Sequence, residues 1–167
     1  MEYKHRKHPR LSTYDYSNNG AYFITICIKD RQRILSNIVR RTESISNNMN
    51  QNFYELQLTT IGRIAEKYIK LIPAYYLNVL VDKYVIMPDH IHILLSVENS
   101  EKWRAESTRP TINISRIVGA LKRLIQKEVG YKIFQDSYYD HIIRGQNDYV
   151  NIWEYINTNV IRWVNKI

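Results

Sequence analysis

An apolar alternating stretch begins near Val79, breaks at Pro88-Asp89, and resumes as His90-Ile91-His92-Ile93-Leu94-Leu95. Pro-Asp supplies a turn that ends one strand and restarts the chain at His90. The segment therefore predicts two strands, residues 77–86 and His90 to about Val97. Side chains at i and i+2 of a strand leave the same face, about 7 Å apart at their attachment points. His90 and His92 thus share one face, while Ile91, Ile93 and Leu95 bury the other. Two imidazoles at that separation can converge on one divalent cation. The same pattern also describes a half-buried strand that merely carries two histidines.

The rest of the chain fits a sheet around that pair. A first strand is expected from about Ala21 to Lys29, rich in β-branched and aromatic residues. Residues 36–54 are polar and low in complexity and read as a mobile loop insertion. Thr60 can cap a helix to about Leu71, with Ile61, Ile64, Ala65, Tyr68 and Ile69 on one stripe and Pro73 ending it. Residues 99–112 read as another exposed loop. Asn113 or Ser115 opens a second helix through about Val129, apolar at Ile117, Val118, Leu121, Leu124 and Ile125 and basic on its other face. A short strand, about Tyr138 to Ile143, precedes a last helix from Asp148, its natural cap, to roughly Val164. Strand, helix, strand, strand, helix, strand and an extra helix is the order of a split βαβ, ferredoxin-like α+β fold. It implies one antiparallel sheet with helices on one face. Residues 1–167 make a single domain, of which 1–20 form a basic arm.

The sheet hosts many functions, so function has to come from the site. Charge narrows the partner: 24 Lys and Arg against 16 Asp and Glu give a net +8, which favours a polyanion, nucleic acid above all. Most of the 14 tyrosines must be packing residues, although tyrosine can stack on bases and can act as a nucleophile. Cys27, the single cysteine, lies in an apolar run, so a buried inert thiol is expected. One cysteine permits no intramolecular disulfide and no cysteine-based zinc site. The N-terminal residues lack the apolar core of a signal peptide and no window reaches transmembrane length. A cytoplasmic, nucleoid-associated protein with no membrane partner is the expectation.

In the last helix, Tyr155 and Asn159 are four apart and are expected to share one face beside the apolar stripe of Ile152 and Ile156. Beside a two-histidine site they would supply a nucleophile and a third metal ligand. Alone, they describe an amphipathic helix with a buried tyrosine.

Several ordered motifs then combine: Arg10-Leu11-Ser12-Thr13-Tyr14-Asp15-Tyr16-Ser17, Gly20 to Cys27, Tyr84-Val85-Ile86-Met87-Pro88-Asp89-His90-Ile91-His92, Tyr138 to Arg144, and the Tyr155 helix up to Trp163. With these the chain resembles the single-tyrosine HUH (His, hydrophobic, His) transposases, in particular the REP-associated tyrosine transposase branch. The resemblance implies that His90 and His92 are metal ligands, Asn159 a third ligand and Tyr155 the nucleophile. Three positions depart from the family pattern. Asp89 stands where the family usually has Asn, Thr158-Asn159-Val160 replaces Asn-Asn-Pro, and residues 36–54 are longer than the corresponding loop.

The implied chemistry is in-line attack on a DNA phosphodiester with Mg²⁺ or Mn²⁺ as the cation, forming a 5′-phosphotyrosine link and freeing a 3′-hydroxyl. Imidazole ligands favour Mn²⁺ over Mg²⁺. The implied partner is single-stranded or hairpin DNA, bound by a monomer or a homodimer, with a lean towards the monomer. Arg144, Lys122 and Arg123 are candidate phosphate contacts, and Arg6, Lys7 and Arg10 can reach a groove or a hairpin. His141 is open between the site face, a DNA contact and a structural role. The histidines are expected on a central strand, exposed opposite the core-packing helices or at the edge. The rival reading is a non-catalytic, RRM-like single-stranded nucleic-acid binder. It fits poorly with only 5 glycines and with histidines on a central strand.

Overall fold

A computed structural model describes residues 19–45, 49–98 and 113–165. The basic residues Arg6, Lys7 and Arg10, and the loop expected at 99–112, lie outside the described residues. Four strands, β1 (Gly20–Cys27), β4 (Val79–Ile86), β5 (His90–Val97) and β6 (Tyr139–Ile142), form one sheet in the order β4-β5-β1-β6. Every neighbouring pair is antiparallel. Helix α1 (Thr60–Lys70) and the short α2 (Ile72–Tyr75) lie between β1 and β4 in sequence, and α3 (Ile114–Val129) between β5 and β6. The result is an α+β, broadly ferredoxin-like fold with peripheral helices.

Alternation on the two central strands decides what each face carries. Tyr22, Ile24 and Ile26 of β1 and Ile91, Ile93 and Leu95 of β5 point to one side, where Ala65 and Ile69 of α1 and Ile117, Val118, Leu121 and Ile125 of α3 cover them. Each isoleucine fully buried there contributes about 1.5–3 kcal/mol. The opposite face carries Phe23 and Leu94, which pack on Ile152 and Ile156 of α4 (Gln146–Asn157). Helices therefore lie on both faces.

Four sequence expectations about local structure are corrected. The segment 36–54 is not a loop in its described part: β2 (Ser36–Ile45) and β3 (Met49–Leu58) form a separate antiparallel ribbon. Its Ser- and Asn-rich composition hides cross-strand pairs such as Ile38 with Leu56 and Val39 with Glu55. Arg41 Nε also donates to Glu55 Oε2 at 2.8 Å. The cap of α1 is Thr59, one residue earlier than expected, whose Oγ1 accepts from Gly62 N at 3.1 Å. Of the two alternatives for α3, Asn113 is the cap, and Gly130 ends the helix at φ +91°.

The third correction bears on the site. The C-terminal helix is broken at Thr158 into α4 and α5 (Asn159–Val164). Thr158 Oγ1 donates back to the Glu154 carbonyl at 2.8 Å, a competition that bends helices. Tyr155 and Asn159 fall on either side of that break, across which the main-chain bonds Thr158 N to Glu154 O (2.9 Å) and Arg162 N to Thr158 O (3.0 Å) continue. Asp148, expected as the cap, instead lies inside the first turn of α4, and Gly145 is the capping residue.

Candidate active site

The turn Met87-Pro88-Asp89 is buried and tied to its neighbours by main-chain bonds. Ile28 N donates to Asp89 O at 2.9 Å, and Leu35 N to Pro88 O at 3.0 Å. This fixes the start of β5 against the end of β1, with Cys27 opposite His90 and Thr25 opposite His92. Both imidazoles leave the face that carries Phe23, and their ring centroids are 4.5 Å apart. The expected central strand and shared face are present. The expected exposure is not: His90 is 7% and His92 5% exposed, because the C-terminal helices cover this face.

Each imidazole is held at Nδ1. Asp89 Oδ1 lies 2.5 Å from His90 Nδ1, and Thr25 Oγ1 lies 2.8 Å from His92 Nδ1. With the proton on Nδ1 donated to these oxygens, both Nε2 lone pairs are available. His92 Nε2 is buried without a hydrogen-bond partner. Burial, then the charges of His90 and Arg31, hold the His92 pKa well below the ordinary histidine value. Burial works against the Asp89 carboxylate, but its hydrogen bond to His90 and the charges of His90 and Arg31 outweigh it and lower its pKa. Arg31 Nη1 is 3.6 Å from Asp89 Oδ2. It follows Asp30 in a turn where both residues have positive φ, 54° and 52°.

Three aromatic rings complete the enclosure. Tyr155 stands edge-on to His92 at 5.3 Å and to Phe23 at 5.8 Å between centroids. The Trp163 and His90 ring centroids are 5.6 Å apart, and the Arg33 guanidinium lies over the Trp163 ring, also 5.6 Å from its centroid. The Arg162 guanidinium sits 5.5 Å from the Tyr155 ring centroid, and its Nε donates to Thr158 Oγ1 at 2.9 Å. Asn159 is buried in the same segment, one turn after Tyr155 and one turn before Trp163. Among the described residues no group of three or more His, Cys, Asp or Glu is placed to hold a metal ion. Any third protein ligand would have to be of another type.

His141 is opposite Phe23 on β6, and its Nε2 contacts Asp148 Oδ2 at 2.9 Å. Asp148 Oδ2 also accepts from Arg144 N at 2.8 Å. Of the three roles open to His141, anchoring α4 to the edge strand is the one these contacts describe. The Arg144 and Arg123 side chains are exposed. Lys122 was expected on phosphate, but its ammonium donates to the carbonyls of Gln135 at 2.5 Å, Asp136 at 2.9 Å and Ser137 at 3.3 Å. It builds a loop. Cys27 is free and buried, and burial pushes its thiol pKa up. Thr25, Arg31, Arg33 and Trp163 were not singled out from sequence. Only Thr25 carried a signal, since it shares the alternation of Phe23.

No family model matches the sequence. An uncharacterized protein of Haemophilus influenzae is 28% identical over 175 residues, covering 95% of this chain and 90% of that protein. Among solved structures, that of a REP-associated tyrosine transposase bound to a REP hairpin is similar with a TM-score of 0.62 at 18% identity. The match covers 91% of this chain and 74% of the other. At that identity the likeness is one of fold. No helix among the described residues is long and apolar enough to cross a membrane.

Proposed function

We propose that this chain is a metal-dependent single-stranded DNA endonuclease and strand transferase of the HUH type, acting at hairpin DNA through a covalent 5′-phosphotyrosine at Tyr155. The observation that carries the reading is the buried, unpartnered Nε2 of His92, enclosed by the rings of His90 and Tyr155. An orphaned buried lone pair is costly unless something occupies it. A divalent cation suits the donor set: His90 and His92 through Nε2, oriented at Nδ1 by Asp89 and Thr25, with the Asn159 amide as third ligand. When bound, Mg²⁺ or Mn²⁺ would neutralise charge that builds on a phosphodiester under attack.

The protein's own groups account for the remainder. The Tyr155 hydroxyl attacks phosphorus, the bond to the 3′ oxygen breaks, and that oxygen leaves as a 3′-hydroxyl carrying the proton lost by the phenol. The phosphotyrosine bond conserves the energy of the broken one, so rejoining needs no nucleotide cofactor. The Arg162 guanidinium over the tyrosine ring is placed to offset the charge of an incoming phosphate. Asp148 holds the first turn of α4 to β6 through His141 and so steadies the helix that carries the nucleophile.

The RRM-like alternative needs an open sheet face on which bases stack. Here Ile152 and Ile156 bury Phe23 and Leu94 on that face, which argues against it. The deciding experiment incubates the protein with labelled DNA hairpins and Mg²⁺ or Mn²⁺ and resolves the products under denaturing conditions. A cleaved strand and a protein-linked strand are expected. Cleavage that continues undiminished in excess EDTA would remove the metal from the scheme.

A further inference from the structure

On the side of the sheet that α3 covers, α3 and the segment 130–138 line an open groove of about 580 Å³ that the chemistry above does not use. Its rim is cationic. Arg123, Lys127 and Lys132 line it, together with Lys122, against the single carboxylate of Asp136. Arg123 and Lys127 are exposed. Lys132 contacts Asp136 Oδ1 at 2.5 Å, so that carboxylate is already neutralised. Tyr131 at the mouth is 57% exposed, an aromatic ring offered to solvent beside the cations.

The walls are preformed. Lys122 pins the carbonyls of Gln135, Asp136 and Ser137, and Gln126 Oε1 accepts from Ile133 N at 3.1 Å and Phe134 N at 3.2 Å. One main-chain bond ties the groove wall to the end of β1. Gln135 N donates to the Cys27 carbonyl at 3.0 Å, and Cys27 is the register partner of His90.

We infer that this groove holds a single-stranded segment of the DNA substrate, with Arg123 and Lys127 on its phosphates and Tyr131 stacked on a base. The inference rests on the reading of the chain as a DNA-processing protein. Clustered cations give sequence-independent affinity through counterion release, and an exposed tyrosine beside them adds base stacking, which duplex DNA does not offer. A duplex bound by phosphates alone would use the cations and leave Tyr131 idle.

Gly119 supplies a test that leaves every charge in place. It lines the groove, and a Cβ built there meets nothing within 4 Å. The space beside that Cβ lets Gly119→Leu project a side chain into the groove, and the change favours the helix. Binding is measured in the Tyr155→Phe background with EDTA present, so that no cleavage chemistry enters the readout. Two probes are compared over a salt titration: a DNA hairpin with a short single-stranded extension and the same hairpin blunt-ended.

The extended probe should bind more tightly than the blunt one. Arg123→Ala with Lys127→Ala should weaken the extended probe about tenfold and reduce its salt slope by about 1.4, the loss of two single-strand phosphate contacts. Gly119→Leu and Tyr131→Ala should each erase the advantage of the extension, with melting temperatures not lowered. Equal losses on both probes, no advantage of the extension in the parent, or an unchanged Gly119→Leu variant would each overturn the groove assignment. Failure of the chain to cleave DNA would leave these binding results readable, so the two proposals fail separately.

Discussion

The Tyr155 ring meets the His92 imidazole edge-on, with centroids 5.3 Å apart and planes inclined at 66°. That contact joins the C-terminal segment to the central strand, and it separates packing from chemistry. Tyr155→Phe keeps the ring and its contacts with Phe23 and His92 while removing only the hydroxyl. Strand cleavage and the covalent adduct should fall to background, while hairpin affinity and melting temperature stay at parental values. Retained cleavage would move the nucleophile elsewhere, and Tyr149 on the same helix would be the next candidate.

Asp89 Oδ1 at 2.5 Å from His90 Nδ1 is the orienting contact for the first histidine. Asp89→Asn keeps an acceptor but loses the charge and its attraction to Arg31. Removal of such an outer partner commonly lowers metal affinity about 10–100-fold. Mn²⁺ binding, followed by electron paramagnetic resonance without DNA, should weaken in Asp89→Asn and disappear in His90→Ala. Undiminished Mn²⁺ affinity in His90→Ala would exclude that residue as a ligand.

Much of this arrangement was legible in the residues. Period-two alternation around His90-Ile91-His92 gave the shared face, and the order of elements gave the sheet. What escaped was mostly set by tertiary contact. The burial of the histidines depends on Trp163 and Tyr155, which approach from the end of the chain. The ribbon at Ser36–Ile45 and Met49–Leu58 depends on cross-strand pairing that polar composition conceals. The break at Thr158 coincides with a hydroxyl bonding back to Glu154, where spacing alone suggests a continuous helix. Lys122 looked like a surface cation because nothing local announces the three carbonyls brought to it by residues 135–137.

Stability should depend on pH through His92. Its folded-state pKa lies well below the ordinary 6.5, with burial the main cause and the charges of His90 and Arg31 adding to it. The unfolded chain therefore binds a proton at this position before the folded chain does. Stability is fully present above about pH 6.5 and is lost as pH falls from there towards the folded-state value. Denaturant unfolding in EDTA at a series of pH values should show this loss, and His92→Gln should flatten it. An equal slope in the variant would assign the acid sensitivity to other groups.

Gly62 gives a prediction that helix propensity alone gets wrong. It lies in the first turn of α1, where replacing glycine by alanine ordinarily stabilises a helix by up to about 1 kcal/mol. Here a Cβ would stand 2.0 Å from the Leu35 carbonyl oxygen. That carbonyl also accepts from Thr59 N at 3.0 Å, and Leu35 N donates to Pro88 O at 3.0 Å, so the obstacle is braced from both sides. Overpacking of this kind costs about 1–3 kcal/mol and exceeds the propensity gain. Gly62→Ala should lower the melting temperature by several degrees, at roughly 2–4 °C per kcal/mol for a domain of this size. Gly119→Ala, a helical glycine with open space around it, should hold or raise the melting temperature. Melting curves of the two variants side by side provide the check. An unlowered value for Gly62→Ala would mean that Leu35 yields, and the displacement should then appear as weaker Mn²⁺ binding at the histidines beyond Pro88.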